Sequence, residues 1–236
     1  MKDLKFSVTK EVLDLGVKIL TARITGVQNS SSNPEFEKLK NSELEKIKQQ
    51  WLEKKYKDDS VLIGFRDLHT KVGRSNRDYV ASPEGLRWLL LERGRFPHIN
   101  TLVDIYNMVS VKTGLALGAH NIDKVQGNIT LRLTKGDEIF IPLGKTEPVS
   151  VFAGEYGYID DGNNVVCRLE VLQVEPTKVT PESNDIFMII EGNVNTDVEY
   201  VRNTAKEVCE LITKYCGGSY SFLNELKEFA AKEQNL

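Results

Sequence analysis

The stretch ITLRLTKGDEIFIPLG, residues 129–144, decides the fold class. Two short runs rich in β-branched and aromatic residues, 129–133 and 138–141, flank the polar turn Thr134-Lys135-Gly136-Asp137, the pattern of strands joined by a tight connection. Similar runs follow at 149–152, 165–174 and 186–192, with a second turn at Asp160-Asp161-Gly162-Asn163-Asn164. Residues beyond Gly118 therefore predict a mostly antiparallel sheet.

Helical spacing dominates on either side. Residues 100–113 predict a helix stopped by Gly114, the left-handed position that follows many helices. Ser82-Pro83-Glu84 predicts another start, with Ser82 as cap and Pro83 in the first turn, running to Arg93-Gly94. In residues 35–56, Phe36, Leu39, Leu44, Ile47 and Trp51 line one face of a charged surface helix. Residues 6–27 alternate as strands, although Val12 and Leu20 fall out of step and leave a short helix open. Residues 196–215 predict a long helix closed by Gly217-Gly218, and residues 221–232 a last short one. Strands and helices mix without regular alternation, so the expected fold is α+β: an antiparallel sheet or sandwich core with flanking helices, one domain over residues 1–236.

With 40% hydrophobic and 28% charged residues, 236 residues can bury a sizeable core. No apolar run approaches the ~20 residues that cross a bilayer. Lys2, Asp3 and Lys5 interrupt any leader-like start, so the expected location is the cytoplasm, without membrane association. Cys167, Cys209 and Cys216 form no CxxC pair and read as reduced thiols, the last two as core residues. A net charge of −3 excludes a global pull on nucleic acid. The basic cluster Lys71, Arg74, Arg77, Arg87, Arg93 and Arg95 reads either as a local phosphate-binding surface or as a solvated helix face.

Phosphate loops, dinucleotide fingerprints, nucleophile elbows and HExxH helices are missing, so neither a cofactor nor a metal is expected. The densest polar run is 100–123. Asn100, Asp104 and Asn107 share a helical face that either meets solvent or lines a polar pocket. His120 follows a glycine-containing loop at Gly118 and reads either as an acid–base group or as a hydrogen-bonded structural histidine.

Residues 101–132, TLVDIYNMVSVKTGLALGAHNIDKVQGNITLR, with GDEIFIPLG at 136–144, resemble the B3/B4 domain, the tRNA-editing module of the phenylalanyl-tRNA synthetase beta subunit. The likeness extends through GEYGYIDD and QVEPTKVTPESNDIFMIIEG to stand-alone relatives of that domain, leaving no room for the synthetase's charging modules. The resemblance implies an ester hydrolase acting on the aminoacylated 3′ end of tRNA. Asn107 matches a pocket asparagine, Tyr106 stands for a neighbouring polar residue, and the pocket histidine falls at Gly118, two residues before His120. The expected roles follow. Backbone N–H groups at Gly118 stabilise an oxyanion, His120 orients water, and Asn107 and Asp104 position the substrate. Glu155 and Glu191 read either as groups that hold the α-amine or as ordinary surface carboxylates, and Arg74, Arg77 and Lys178 as phosphate contacts. Two other readings stay open: a tRNA- or RNA-binding module without turnover, and a binder or hydrolase of an amino-acid-like metabolite.

Overall fold

In the computed structural model, residues 3–226 are described. Strand β1 (Phe6–Val8) leads through a short helix α1 (Lys10–Asp14) into β2 (Lys18–Thr25). Helices α2 (Pro34–Gln50), α3 (Ser60–Lys71), α4 (Ser82–Arg93) and α5 (Thr101–Thr113) follow. The chain then forms β3 (Ala116–Asn121), β4 (Ile129–Leu133), β5 (Tyr156–Asp160), β6 (Val165–Arg168), β7 (Leu172–Gln173) and β8 (Asp185–Gly192), and closes with α6 (Val198–Cys216) and β9 (Ser219–Phe222).

The strands make two sheets, ordered β1-β4-β5-β6-β7 and β3-β8-β2-β9. Every pairing is antiparallel except β1 with β4. Phe6 of the first sheet meets Phe187 of the second with ring centroids 5.7 Å apart and stacks on Tyr158 at 6.0 Å. Helices α5 and α6 pack on the second sheet. That sheet is thus a middle layer, which is why seven of the eight residues of β8 are buried rather than every second one. The architecture is α+β.

Local chemistry explains the elements that matter. Asn100 caps α5 by accepting the Val103 N–H at 3.0 Å, and Gly114 ends it with φ 76°. Helix α5 lies among α2, α4, α6 and β3, so its apolar face extends almost all round. Gly64 lets α3 touch the end of β8: a Cβ there would lie 2.0 Å from Asn193 Oδ1, whose amide donates to Val61 O at 2.9 Å.

Several expectations need correction. The strand reading of residues 6–27 gives way around Val12 to the short helix it left open, α1. Ser82 is not the cap of α4. Ala81 takes that place, without a side-chain bond. Residues 138–141 and 149–152 form only isolated bridges, with Ile139, Val149 and Phe152 exposed. The last expected helix begins as β9, and its residues beyond 226 lie outside the described ones.

Candidate functional site

A cavity of about 400 Å³ opens beside β3, between α4 and α5 on one side and the β6–β7 connection on the other. Leu86, Val103, Leu143, Val171, Val179 and Ile189 give it apolar walls. Asn107, Gly118 and Gln173 are half-buried in its lining, and Lys178 is exposed at the rim. Its floor carries Cys167, Glu170 and Glu191, all buried. An apolar hollow with a few convergent polar groups is the usual form of a small-ligand site.

β3 is the outer strand of its sheet, so half of its backbone groups point away from β8. The Asn121 N–H bonds Thr177 O at 2.8 Å on that outer side. By the alternation of an antiparallel ladder, the Leu117 N–H also points off the free edge, while that of Gly118 joins the ladder opposite Ile189. The expected loop at Gly118 is therefore a strand, and the donor the edge offers to the cavity belongs to Leu117. Gly118 contributes the space that a side chain would fill; a Cβ there would lie 3.7 Å from Gln173 Nε2.

Tyr106 accepts a hydrogen bond from Gln173 Nε2 at 3.2 Å. Burial raises its pKa, so the phenol stays a neutral donor. Below it, Glu170 accepts from His69 Nε2 and from Tyr156 OH, both at 2.5 Å. Burial opposes the charged form of His69, but the hydrogen bond and charge of Glu170 outweigh it and the imidazole pKa rises. Glu191 Oε2 accepts from Tyr158 OH at 2.5 Å, and Oε1 has no partner. Burial and the neighbouring Glu170 push the Glu191 pKa well up, against the bond from Tyr158. Burial also raises the Cys167 thiol, which argues against a thiolate nucleophile.

Of the residues singled out from sequence, Tyr106, Asn107, Gly118, Lys178 and Glu191 meet in this cavity. Asp104 does not: its buried carboxylate binds Lys40 Nζ at 2.8 Å, His98 Nδ1 at 2.6 Å and the Ile99 N–H at 2.9 Å. Glu37, His98 and Asp104 cluster closely enough to suggest a cation site, yet the Lys40 ammonium already bonds Glu37 and Asp104 there. Glu155 is fully buried against Arg168, which donates at 2.6 and 2.8 Å, and pairs with Arg74 at 2.5 Å. It is not an amine reader. Arg74, also stacked on Phe152, is not free for phosphate. Arg87 of the basic cluster is buried in an ion pair with Asp59. Arg77 is exposed with no side-chain partner among the described residues, whereas Lys178 pairs with Glu175.

His120 is fully buried, does not line the cavity, and bonds Thr177 Oγ1 through Nδ1 at 2.9 Å. Burial lowers its pKa to about 3, which keeps it neutral in the fold. The unfolded chain takes up that proton below about pH 6.5, so the folded state loses stability as pH falls from there towards 3. His120→Ala should flatten this acid limb of the stability curve in urea titrations at several pH values. It should leave ligand binding in the cavity unchanged. A lost chemical step with an unchanged acid limb would return His120 to the reaction.

The chain belongs to the B3/4 domain family, whose model matches residues 65–217. Among individual relatives, it is 27% identical over 126 residues to the phenylalanine–tRNA ligase beta subunit of Mycoplasma genitalium, covering 53% of this chain and 15% of that one. It is 32% identical over 120 residues to the beta subunit of Methanococcus maripaludis, covering 42% and 21%. The chain thus spans about a fifth or less of the length of these relatives. Among solved structures, an N-terminal fragment of the phenylalanyl-tRNA synthetase beta subunit from Pyrococcus horikoshii aligns over 93% of this chain and 52% of its own, with a TM-score of 0.49 and 15% identity. Among the described residues no helix is long and apolar enough to cross a membrane.

Proposed function

We propose that this protein is an aminoacyl-tRNA deacylase acting in trans, which hydrolyses the ester of mischarged tRNA. The observation that carries the reading is the convergence of Asn107, Tyr106, the open β3 edge at Leu117 and the buried carboxylates in one cavity sized for an aminoacyl group. Membership of the B3/4 domain family and the likeness to synthetase beta subunits support it.

The tRNA is too bulky to enter a cavity of this size, so the ester sits at the half-exposed mouth and the amino-acid side chain points to the floor. There the Leu117 N–H meets the carbonyl oxygen as charge develops on it. The Asn107 amide and the neutral Tyr106 phenol hold the substrate's polar groups. Water adds to the carbonyl carbon, the bond to the ribose oxygen breaks, and the proton given up by water ends on that oxygen. An aminoacyl ester is already activated, so positioning and one oxyanion donor supply much of what the step requires. Of the cations singled out for phosphate, the exposed Arg77 has no side-chain partner among the described residues, and Lys178 at the rim must part from Glu175 to serve.

Single-turnover deacylation of a panel of correctly and incorrectly charged tRNAs, with binding of uncharged tRNA measured alongside, tests this reading. Hydrolysis of a subset is expected, and Asn107→Ala should slow it by about 10- to 100-fold with little change in stability. Binding without hydrolysis would instead make the protein a tRNA-holding module.

A further inference from the structure

Six carboxylates are buried among the described residues, and five have their charge answered inside the protein. Asp104 has Lys40, Glu155 has Arg168 and Arg74, and Glu170 has His69. Glu138 has Arg132 with the Lys135 and Gly136 N–H groups, and Asp160 accepts the N–H groups of Gln126, Gly162 and Asn164. Glu191 is the exception. It is 1% exposed, meets neither a cation nor a backbone N–H, and leaves Oε1 without a partner at the cavity floor. A buried carboxylate kept without a counter-charge is costly unless something brings one.

We propose that the floor of this cavity is a subsite for an amino-acid side chain ending in a primary ammonium, which donates to Glu191 Oε1 beside Glu170. The proposal rests on the ester reading above, which puts the side chain at the floor. The match of charge is one to one: Glu170 is answered by His69, so the floor has room for one positive charge, which Glu191 balances by giving up its proton. Shape favours ammonium over guanidinium. Tyr158 already takes one lone pair of Oε2, so a guanidinium fork would have to share that oxygen, whereas an ammonium needs Oε1 alone and donates through single, rotatable N–H bonds. The apolar walls suit a methylene chain.

Without ligand, burial and Glu170 favour the protonated form of Glu191. The groups facing it are Glu170, Tyr158, Tyr156 and Cys167, with Lys178 held at the rim by Glu175. An arriving ammonium expels that proton, so binding releases it to buffer.

Calorimetry on the intact protein with lysine amide, norleucine amide, arginine amide and tyrosine amide tests the subsite without tRNA. Lysine amide should bind about tenfold or more tighter than norleucine amide, with proton release seen as a dependence on buffer ionisation heat. Glu191→Gln should erase that preference, and a cooperative urea-unfolding transition shows that the variant is folded. Equal binding of lysine and norleucine amides, or a preference for arginine or tyrosine amide, would overturn the proposal. A lysine preference with no hydrolysis of any charged tRNA would leave the subsite standing and remove the deacylase reading.

Discussion

Arg168→Ala should lower the unfolding free energy by about 3–5 kcal/mol in urea titrations. Arg168 and Glu155 are both buried, and the guanidinium donates through Nε and Nη2 to the two oxygens of a carboxylate with no exposure at all. The same side chain lies over the rings of Tyr79 and Phe140, at 5.3 and 5.4 Å. Removing it leaves the Glu155 charge in the interior with only Arg74, which is itself partly exposed. Arg168→Lys should cost less, because the charge remains and only the fork is lost. Replacing both partners, Arg168→Met with Glu155→Leu, should recover most of the stability. An alanine variant as stable as the parent would mean that this pair does not hold the open end of the β5–β6 hairpin.

Asp104→Ala should cost about 3 kcal/mol, with ligand binding per folded molecule changed by less than about threefold. Lys40 reaches Asp104 from α2 across 64 positions of sequence, and removal of the carboxylate leaves that ammonium with Glu37 alone. It also frees the Ile99 N–H, which ties the segment before α5 to the helix. Thermal melts and binding measured on the same preparation separate the two effects. Full stability with lost binding would restore Asp104 to the site.

Local signals explain what was legible from sequence. Asn100 and Gly114 bracket α5, and residues 129–133 and 186–192 form strands because their β-branched runs suit a buried sheet. β3 was hidden because Ala116-Leu117-Gly118-Ala119 has small residues and a glycine, and only pairing with β8 makes it extended. β5 was hidden in the same way by Gly157. Residues 138–141 and 149–152 have strand composition but meet single bridges instead of ladders. In the site, Asn107 follows from helical spacing, and Tyr106 from the family resemblance alone. Residue type could not tell that Glu155 and Asp104 are spent on Arg168 and Lys40 while Glu191 is not. Nor could it bring His69 to Glu170 across 101 positions.

The place of β2 between β8 and β9 also bears on how the chain is made. Arg23 meets Asp185, 162 positions further on, and β9 follows later still. At about 5–20 residues per second, the apolar strand KILTARIT waits roughly 8–30 s after its own synthesis before either sheet neighbour exists. During that interval both its edges are open to pairing with other chains, so newly made protein depends on shielding at its N-terminal segment well before the cavity can form.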